Sequence, residues 1–417
     1  MKKSSIPFVG LHAHSVAGSP FDALGYPQDH MDYAYDNGCE ALALTDHGNM
    51  NGLAYQVLHA KKMKAEGKNF KPIFGVEAYF IPSLDTWNEE RDRAKTDKKR
   101  ASELKDSTTM SVENEGETKK SKSILNQRSH LILLAQNQTG LNNIFAMISK
   151  SNSDKYFFRY PRVDYEVLRE HSEGVIAASA CMGGVYAANF WKHWDGENEV
   201  IADPDACTDA FRETTREMVS IFGDRWYGEL QWHTDKKQHL INELVIQMHK
   251  EFGIKLISTA DSHYPNPDAW KDRELYKRLG FLGKGKPTWL SDELPESVAE
   301  VGYELYPKNG DQMWDSYKHY TQLNGVEYDD DLVMDSITET HNIAFNRIEE
   351  FMPDNEVRLP SFVVPDGYTA DAALETTSLE SLNKLGLLDN PEYKARLVEE
   401  LSVISDRGFS KYFLTMK

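Results

Sequence analysis

The stretch that decides the fold reads Phe8-Val9-Gly10-Leu11-His12-Ala13-His14-Ser15, a short apolar run that passes into two histidines separated by one residue. Alternate side chains of a β-strand point to the same face, so the imidazoles of His12 and His14 would lie together, about 7 Å apart along the backbone. That spacing lets both rings hold one metal ion or two adjacent ions. Isolated His-x-His pairs are also common among ordinary exposed histidines, so the rest of the chain must decide.

Length and composition bound the class of protein. A chain of 417 residues is too long for one compact domain. No stretch reaches the roughly 18 uninterrupted apolar residues of a membrane span, and residues 1–7 lack an apolar signal core. Three cysteines without a framework spacing fit a reducing, cytoplasmic setting.

The net charge of -19 is strongly acidic. It argues against nonspecific binding of nucleic acid over the whole surface, because phosphates repel an acidic body, but it leaves room for a local basic track. The acidic balance suits a protein that binds several divalent cations, and it equally serves solubility alone.

Apolar runs alternate with amphipathic stretches through the first 265 residues. The sequence predicts strands at 8–12, 41–45, 73–80, 130–135, 175–180, 226–232 and 255–260, and helices at 28–37, 51–66, 139–150, 207–222 and 235–252. Seven strands that alternate with helices indicate βα units and a parallel sheet or barrel.

Two stretches depart from this alternation. Residues 85–123 are rich in charges of both signs and poor in apolar side chains, so we expect a mobile or loosely helical insertion, a solvated loop more readily than a functional lid. After residue 265 the histidine–carboxylate clusters stop. There the sequence predicts one long helix at 331–350, an extended stretch at 357–365 and a helix at 391–407.

Side chains that bind metals lie at or near the ends of five predicted strands. They are Asp46, His47, Glu77, His130, Cys181, Asp261 and His263. In a parallel α/β barrel, groups at the carboxyl ends of strands converge on one face. The mixture suits Zn²⁺, Mn²⁺ or Fe²⁺, and it exceeds what one tetrahedral ion needs, which indicates two or three ions. His130 fits least well, because it precedes its apolar run.

Each residue also has an ordinary explanation. Asp46 could cap a helix, Cys181 could be a small buried hydrophobe, and Glu77 could pair with a lysine. A coincidence across five strand ends explains the pattern less well than a shared metal site does. Sites with several metal ions activate water and neutralise phosphoryl charge, so the residues favour phosphoester hydrolysis. Amide or ester hydrolysis in an amidohydrolase barrel is the chemical alternative.

These motifs resemble the polymerase and histidinol phosphatase (PHP) domain at the start of bacterial DNA polymerase III alpha subunits. The resemblance covers nearly all of residues 8–265. It is carried, in the family's order, by residues 11–15, 21–25, 44–48, 72–77, 130–135, 161–164, 180–183, 229–231 and 261–264.

The resemblance implies a distorted seven-stranded (β/α)7 barrel of PHP type with two or three divalent ions (Zn, Mn, Mg or Fe). It carries nine ligands onto this chain: His12, His14, Asp22, His47, Glu77, His130, Cys181, Asp261 and His263. His12, His14, Asp261 and His263 are expected to be catalytic. The loop from His14 to Asp22 is one residue longer than is usual in the family and contains Pro20.

The implied activity is a metal-dependent 3′–5′ exonuclease that can proofread. Its partner would be DNA, at the single-stranded 3′ end of a primer. Arg159 and Arg162 are candidates to hold a neighbouring phosphate, and ordinary surface arginines are the alternative.

Residues 359–367, 400–404 and 408–414 are similar to the start of the polymerase palm. We therefore interpret residues 1–265 as a PHP metallohydrolase barrel and residues 266–417 as an incomplete, mainly helical palm-like module. We expect no polymerising site in this polypeptide alone. It would belong to a split, phage-like or truncated replicative polymerase, partnered by a polypeptide that carries the remaining domains. The alternatives are a non-catalytic scaffold that docks the rest of a split polymerase, and a small-molecule PHP phosphatase.

Overall fold

The computed structural model describes residues 4–96, 126–281, 294–354, 356, 362–364 and 366–416. By its internal contacts the chain divides into two compact units, Met1–Pro353 and Asp354–Lys417. The predicted boundary at residue 265 separates two family modules and stays a prediction. The first unit extends well beyond that boundary.

Six strands form the main sheet and follow one another in chain order from edge to edge. They are β1 (Ala41–Leu44), β2 (Lys71–Phe80), β3 (Ser129–Ala135), β4 (Val175–Ala178), β5 (Trp226–Gln231) and β6 (Lys255–Thr259). Neighbouring strands are parallel except that β3 is antiparallel to both β2 and β4. The α/β class is confirmed, but the prediction of an all-parallel sheet was wrong at β3.

Helices surround this sheet in the first unit. They are α1 (Pro27–Asp36), α2 (Leu53–Ala65), α3 (Leu84–Thr96), α4 (Gln138–Ser151), α5 (Tyr165–Glu170), α6 (Val185–His193), α7 (Pro204–Phe222), α8 (Lys236–Phe252), α9 (Trp270–Phe281), α10 (Val298–Val301), α11 (Gly310–Asn324) and α12 (Asp330–Asn342). Two small hairpins pair Phe157–Phe158 with Tyr160–Pro161 and Trp194–Asp195 with Val200–Ile201.

The segment 10–14 joins the two edges of the sheet. On one side the amide of Ala43 in β1 donates to the Gly10 carbonyl at 2.8 Å, and on the other the amide of His14 donates to the Ser262 carbonyl at 2.7 Å. The segment forms isolated bridges in place of the regular strand predicted at 8–12, so within the described residues the main sheet has six strands and not seven. It nevertheless closes the curved sheet.

Apolar side chains on the two faces of the sheet form separate cores. The interior core is small and includes Leu11, Ile73, Ile132 and Ile257, all almost completely buried. The larger core lies between the sheet and the helices. Because one face packs inward and the other packs on helices, the strands are buried on both faces, as expected of a closed α/β fold.

Residues 343–348 cover one end of the interior core. The helix predicted at 331–350 ends earlier, since α12 stops at Asn342 and continues as one π-helical segment, Ile343–Arg347. Ile343 and Ile348 belong to the interior core, and Lys71, the first residue of β2, donates to the carbonyls of Ala344 and Ile348 at 2.6 Å. These contacts tie the residues after 265 to the barrel.

The charged insertion begins with an ordered helix. Helix α3 (Leu84–Thr96) packs on the larger core, between the sheet and the helices, through Trp87, which is completely buried. The expectation of a loose insertion therefore does not hold at residues 85–96. Residues 97–123, where the same expectation falls, lie outside the described residues.

The second unit contains three helices, α13 (Ala370–Lys384), α14 (Pro391–Asp406) and α15 (Ser410–Thr415). Leu374 and Leu414 are buried, and the hydroxyl of Ser410 donates to Asp371. Most of the stretch predicted to be extended, 357–365, lies outside the described residues. Among the helices of the described residues, none combines the length and apolar character that a membrane crossing requires.

We predict that Gly140→Ala destabilises the fold. A Cβ at this position would lie 1.8 Å from the carbonyl oxygen of Gly174, and a backbone atom cannot move aside as a flexible side chain can. Overpacking of this kind costs about 1–3 kcal/mol. Urea unfolding measures the change. Gly196→Ala is the control, because its Cβ would meet only the Trp194 ring, at 3.8 Å. Equal unfolding midpoints for the two variants would contradict the prediction.

Candidate metal centre

The ends of the strands bring the predicted ligands to one place. His12 and His14 lie on the closing segment, and His47 follows β1. Asp261 and His263 follow β6. Asp261 adopts a left-handed backbone conformation, with φ of 46°, which is rare for a residue other than glycine and is found where a functional side chain must be aimed.

His130 reaches the same edge because of the strand reversal. It opens β3, which is antiparallel to β2, and its partner in the register is Tyr79, close to the carboxyl end of β2. The amino end of β3 therefore lies beside the carboxyl end of β2. This explains why His130 precedes its apolar run.

Glu77 lies at the middle of the cluster. Its Oε1 is 3.4 Å from His12 Nε2 and 3.0 Å from His130 Nδ1. Its Oε2 is 3.6 Å from His14 Nε2 and 2.6 Å from His47 Nδ1. One fully buried carboxylate thus faces four imidazoles.

Asp261, Asp22 and Cys181 complete the predicted set around this core. Asp261 Oδ1 lies 3.0 Å from His12 Nε2 and 3.2 Å from His14 Nε2. Asp22 Oδ2 lies 3.1 Å from His47 Nε2 and 3.5 Å from His263 Nε2. Cys181 Sγ is 3.7 Å from His130 Nδ1. All nine residues predicted to bind metal lie in one connected cluster.

Three overlapping groups of this cluster have ligand atoms within 4.8 Å of one another. They are His14–His47–His263, His12–His14–Asp261 and His47–Glu77–His130. His14 and His47 are each shared by two groups. Overlap of this kind fits two or three ions and not one isolated tetrahedral ion.

Unsatisfied buried atoms test whether the residues fit metal ions. Both carboxylate oxygens of Glu77, Oδ1 of Asp261 and Nδ1 of His47 are buried without a hydrogen bond of good geometry. The Nε2 atoms of His12 and His14 face each other at 3.0 Å. Nitrogens this close need a shared proton or cation, and orphaned carboxylate oxygens need positive charge, so divalent ions fit this donor set.

The two histidines of the opening motif have opposite electrostatic surroundings. Burial alone would lower the pKa of His12, but the nearby Asp261 and Glu77 carboxylates raise it well above its usual value. Burial lowers the pKa of His14 well below its usual value, and the neighbouring His47 adds to this. His14 is therefore held neutral, the form in which imidazole binds metal.

Burial and nearby charges act against each other at the acidic ligands. Burial would raise the pKa of Glu77, but His130 and His47 hold it well below its usual range. Burial raises the pKa of the Cys181 thiol well above its usual value, and the Asp261 and Glu77 carboxylates add to this. A thiolate at this position therefore requires the charge of a cation.

Asp46 is close to the centre but has a different role. Its carboxylate accepts hydrogen bonds from the Ser15 amide at 2.6 Å and from the hydroxyls of Ser15 and Ser19 at 2.9 Å. These bonds hold the loop that follows His14. Asp46 therefore fixes the backbone between the predicted ligands His14 and Asp22.

The two predicted phosphate-binding arginines differ in their surroundings. Arg162 is almost completely buried and donates to the carbonyls of Gln127, Phe158 and Tyr160 at 2.9–3.1 Å. These contacts make it a structural side chain, so the proposed phosphate contact of Arg162 is not retained. Arg159 is exposed, and its guanidinium lies over the Phe158 ring.

Glu229 was missed as a functional residue by sequence reasoning. It is buried in β5, and its Oε1 accepts from Thr259 Oγ1 at 2.5 Å and lies 2.7 Å from His12 Nδ1. A carboxylate on the far nitrogen of a ligand histidine fixes its tautomer and ring orientation. The available signals were a glutamate inside a buried strand and its place in the motif 229–231.

The sequence profile of the PHP domain matches residues 10–233, more than half of the chain. The chain belongs to the PHP domain family. The matched residues include seven of the nine clustered ligands, and Asp261 and His263 lie beyond them. The resemblance to polymerase PHP domains is thereby confirmed, and with it the PHP-type α/β fold.

The curated relatives are long proteins. DNA polymerase III subunit alpha of Aquifex aeolicus is 29% identical over 421 residues, which cover 98% of this chain and 31% of the relative. The subunit of Borreliella burgdorferi is also 29% identical, over 98% of this chain and 29% of the relative. This chain therefore spans about a third of their length, so the activities and partners of the whole relatives are proposals for it.

Among solved structures, an amidohydrolase from Chromobacterium violaceum is similar over 64% of this chain and 96% of its own. The identity is 13% and the TM-score 0.32.

We predict that Glu229→Gln weakens metal binding. Glutamine keeps an acceptor oxygen but removes the negative charge that raises the basicity of the His12 ring, and changes to such supporting partners typically cost 10–100-fold in metal affinity. Titration of the metal-free protein with Mn²⁺ in a calorimeter measures the affinity. Glu243→Gln on the exposed side of α8 is the control. Unchanged affinity in a folded Glu229→Gln protein would contradict the role of Glu229.

Proposed function

We propose that this chain is a metal-dependent phosphoesterase that shortens single-stranded DNA from its 3′ end. The observation that carries the proposal is the cluster of three overlapping ligand groups around Glu77. The polarity of digestion and the proofreading role rest on the resemblance to polymerase PHP domains. Zn²⁺, Mn²⁺, Mg²⁺ and Fe²⁺ all remain candidates for the metal.

The nine clustered residues would hold two or three divalent ions. Such ions, when bound, lower the pKa of water and neutralise charge on a phosphoryl oxygen. The chain's own contribution is to hold the ligands in place. Glu229 orients His12, and the backbone carbonyl of Asp261 holds Nδ1 of His263 at 2.7 Å. Both contacts leave the Nε2 atoms of these rings directed at the cluster.

Cations and aromatic rings beside the cluster support a nucleic acid substrate. The Arg128 guanidinium lies 4.0 Å from the Tyr160 ring centroid and 5.6 Å from that of Tyr79. The Tyr79 ring lies 5.5 Å from that of His130. Arg128 and the exposed Arg159 are our candidates to hold a phosphate next to the one that is cleaved, a local basic site on an acidic protein.

A second role, docking of another polypeptide, is supported by the second unit. Helix α14 carries apolar side chains that are more than half exposed, Tyr393 at 51%, Val398 at 64% and Val403 at 58%. Exposed apolar surface of this kind is typical of a protein-binding site. We propose that it contacts another protein surface, such as a further polymerase domain of the kind that the resemblance implies. The two roles are compatible.

We predict that the purified chain shortens a 5′-labelled single strand in the presence of Mn²⁺ or Zn²⁺, and that EDTA abolishes the reaction. His12→Ala and Asp261→Asn should each lower the rate more than about 100-fold, because loss of a ligand costs at least as much as loss of its supporting partner. Gel analysis of the labelled products gives the rate and the polarity. His59→Ala is the matched control, since His59 pairs with Asp32 at 2.8 Å outside the cluster.

The outcomes separate the alternatives. Hydrolysis of p-nitrophenyl phosphate without shortening of DNA would favour a small-molecule phosphatase. Metal binding without hydrolysis of either substrate would favour a scaffold. Shortening that survives both ligand substitutions would overturn the proposal.

A further inference from the structure

We infer that Arg273 is a positioning residue that fixes the Asp22 carboxylate in the metal centre. Arg273 lies on α9, beyond the residues that the PHP profile matches. It is separated from Asp22 by 251 positions in the chain. The inference rests on the proposed metal centre. It assigns a supporting role to α9, a helix that contains no predicted ligand.

Arg273 holds Asp22 at two points. Its Nε donates to the backbone carbonyl of Asp22 at 2.8 Å, and its Nη2 donates to Oδ1 at 2.7 Å. The other carboxylate oxygen, Oδ2, is the one that faces His47 and His263. Arg273 thus fixes the residue through one side and leaves the ligand oxygen directed at the histidines.

Burial of the arginine makes the contact specific. The side chain of Arg273 is 4% exposed, whereas that of Asp22 is 41% exposed. An exposed carboxylate on a loop samples many orientations, so its alignment depends on the buried partner. The planar guanidinium makes both hydrogen bonds at once, and the single ammonium of a lysine cannot reproduce that fork.

The same helix holds the residue before Asp22. Phe21 adopts φ of 64° and stacks on Tyr276 of α9, with ring centroids 5.4 Å apart. A Cβ on Gly280 would lie 2.7 Å from the Cβ of Phe21, so the loop packs directly on the helix. Left-handed backbone at an aromatic residue persists only where the surroundings enforce it. Helix α9 therefore fixes the loop at two successive residues.

The loop between His14 and Asp22 depends on this contact for the direction of its last side chain. The Asp22 side chain is 41% exposed at the end of this loop, so the loop alone constrains it little. Arg273 supplies the missing constraint from another part of the chain. Helix α9 consequently helps to keep Asp22 at the centre.

The test is a double-mutant cycle on metal binding. Calorimetric titration of the metal-free full chain with Mn²⁺ is compared for the unaltered protein, Arg273→Lys, Asp22→Asn and the double variant. We expect Arg273→Lys to weaken the affected Mn²⁺ site about 10–100-fold, as losses of such partners do. In the Asp22→Asn background, Arg273→Lys should cause little further loss, because the residue it positions is already gone.

Arg225→Lys is the matched control, since Arg225 also donates to backbone carbonyls, those of Ser172 and Val175, but contacts no predicted ligand. Circular dichroism and thermal unfolding establish that each variant is folded, and Arg273→Gln replaces any variant that is not. Normal Mn²⁺ binding by Arg273→Lys, or losses that add fully in the double variant, would overturn the inference. Coupling between the two substitutions in a chain that hydrolyses no phosphoester would uphold it while the proposed function fails.

Discussion

A carboxylate with no solvent contact needs positive charge beside it, and the first unit is arranged around that requirement at Glu77. An isolated buried charge costs several kcal/mol even after the protein relaxes. Here the charge faces the imidazoles of His12, His14, His47 and His130. Those histidines come from three separate places in the chain, because His12 and His14 share the segment 10–14. The sheet must curve and close before all of them can reach one carboxylate. The charge balance of the centre therefore depends on the topology of the barrel.

Most residues of this cluster were predicted from the ends of apolar strands, whereas Asp22 was assigned only through the resemblance to PHP domains. An apolar run followed by histidine or carboxylate identifies both the strand and the edge at which it ends, as at His47 and Asp261. The exception was informative. His130 violated the rule, and the reversal of β3 explains it. Strand direction does not follow from the hydrophobic pattern, because the side chains of parallel and antiparallel strands alternate in the same way.

The residues that sequence reasoning missed act through long-range contacts. Glu229 is one of two polar residues in a buried strand, and Arg273 is one of several basic residues on a charged helix. Neither pattern indicates which side chain the residue contacts. For Arg162, the sequence predicted a function that the structure does not support. An arginine in a polar loop resembled an exposed phosphate contact, but its guanidinium is buried on three carbonyl groups. Pairing of this kind depends on the packed fold and has no local signature.

The segment 10–14 links the two edges of the sheet, and it also carries the imidazoles of His12 and His14 into the ligand cluster. Unfolding of the barrel must therefore separate the donors, and assembly of the donors requires closure. By thermodynamic linkage, any cation that binds only the closed form stabilises the fold, by about 2.7 kcal/mol at a free concentration one hundred times its dissociation constant. Scarcity of such an ion would then lower the free energy of unfolding, so the supply of metal would influence how much of this chain is folded.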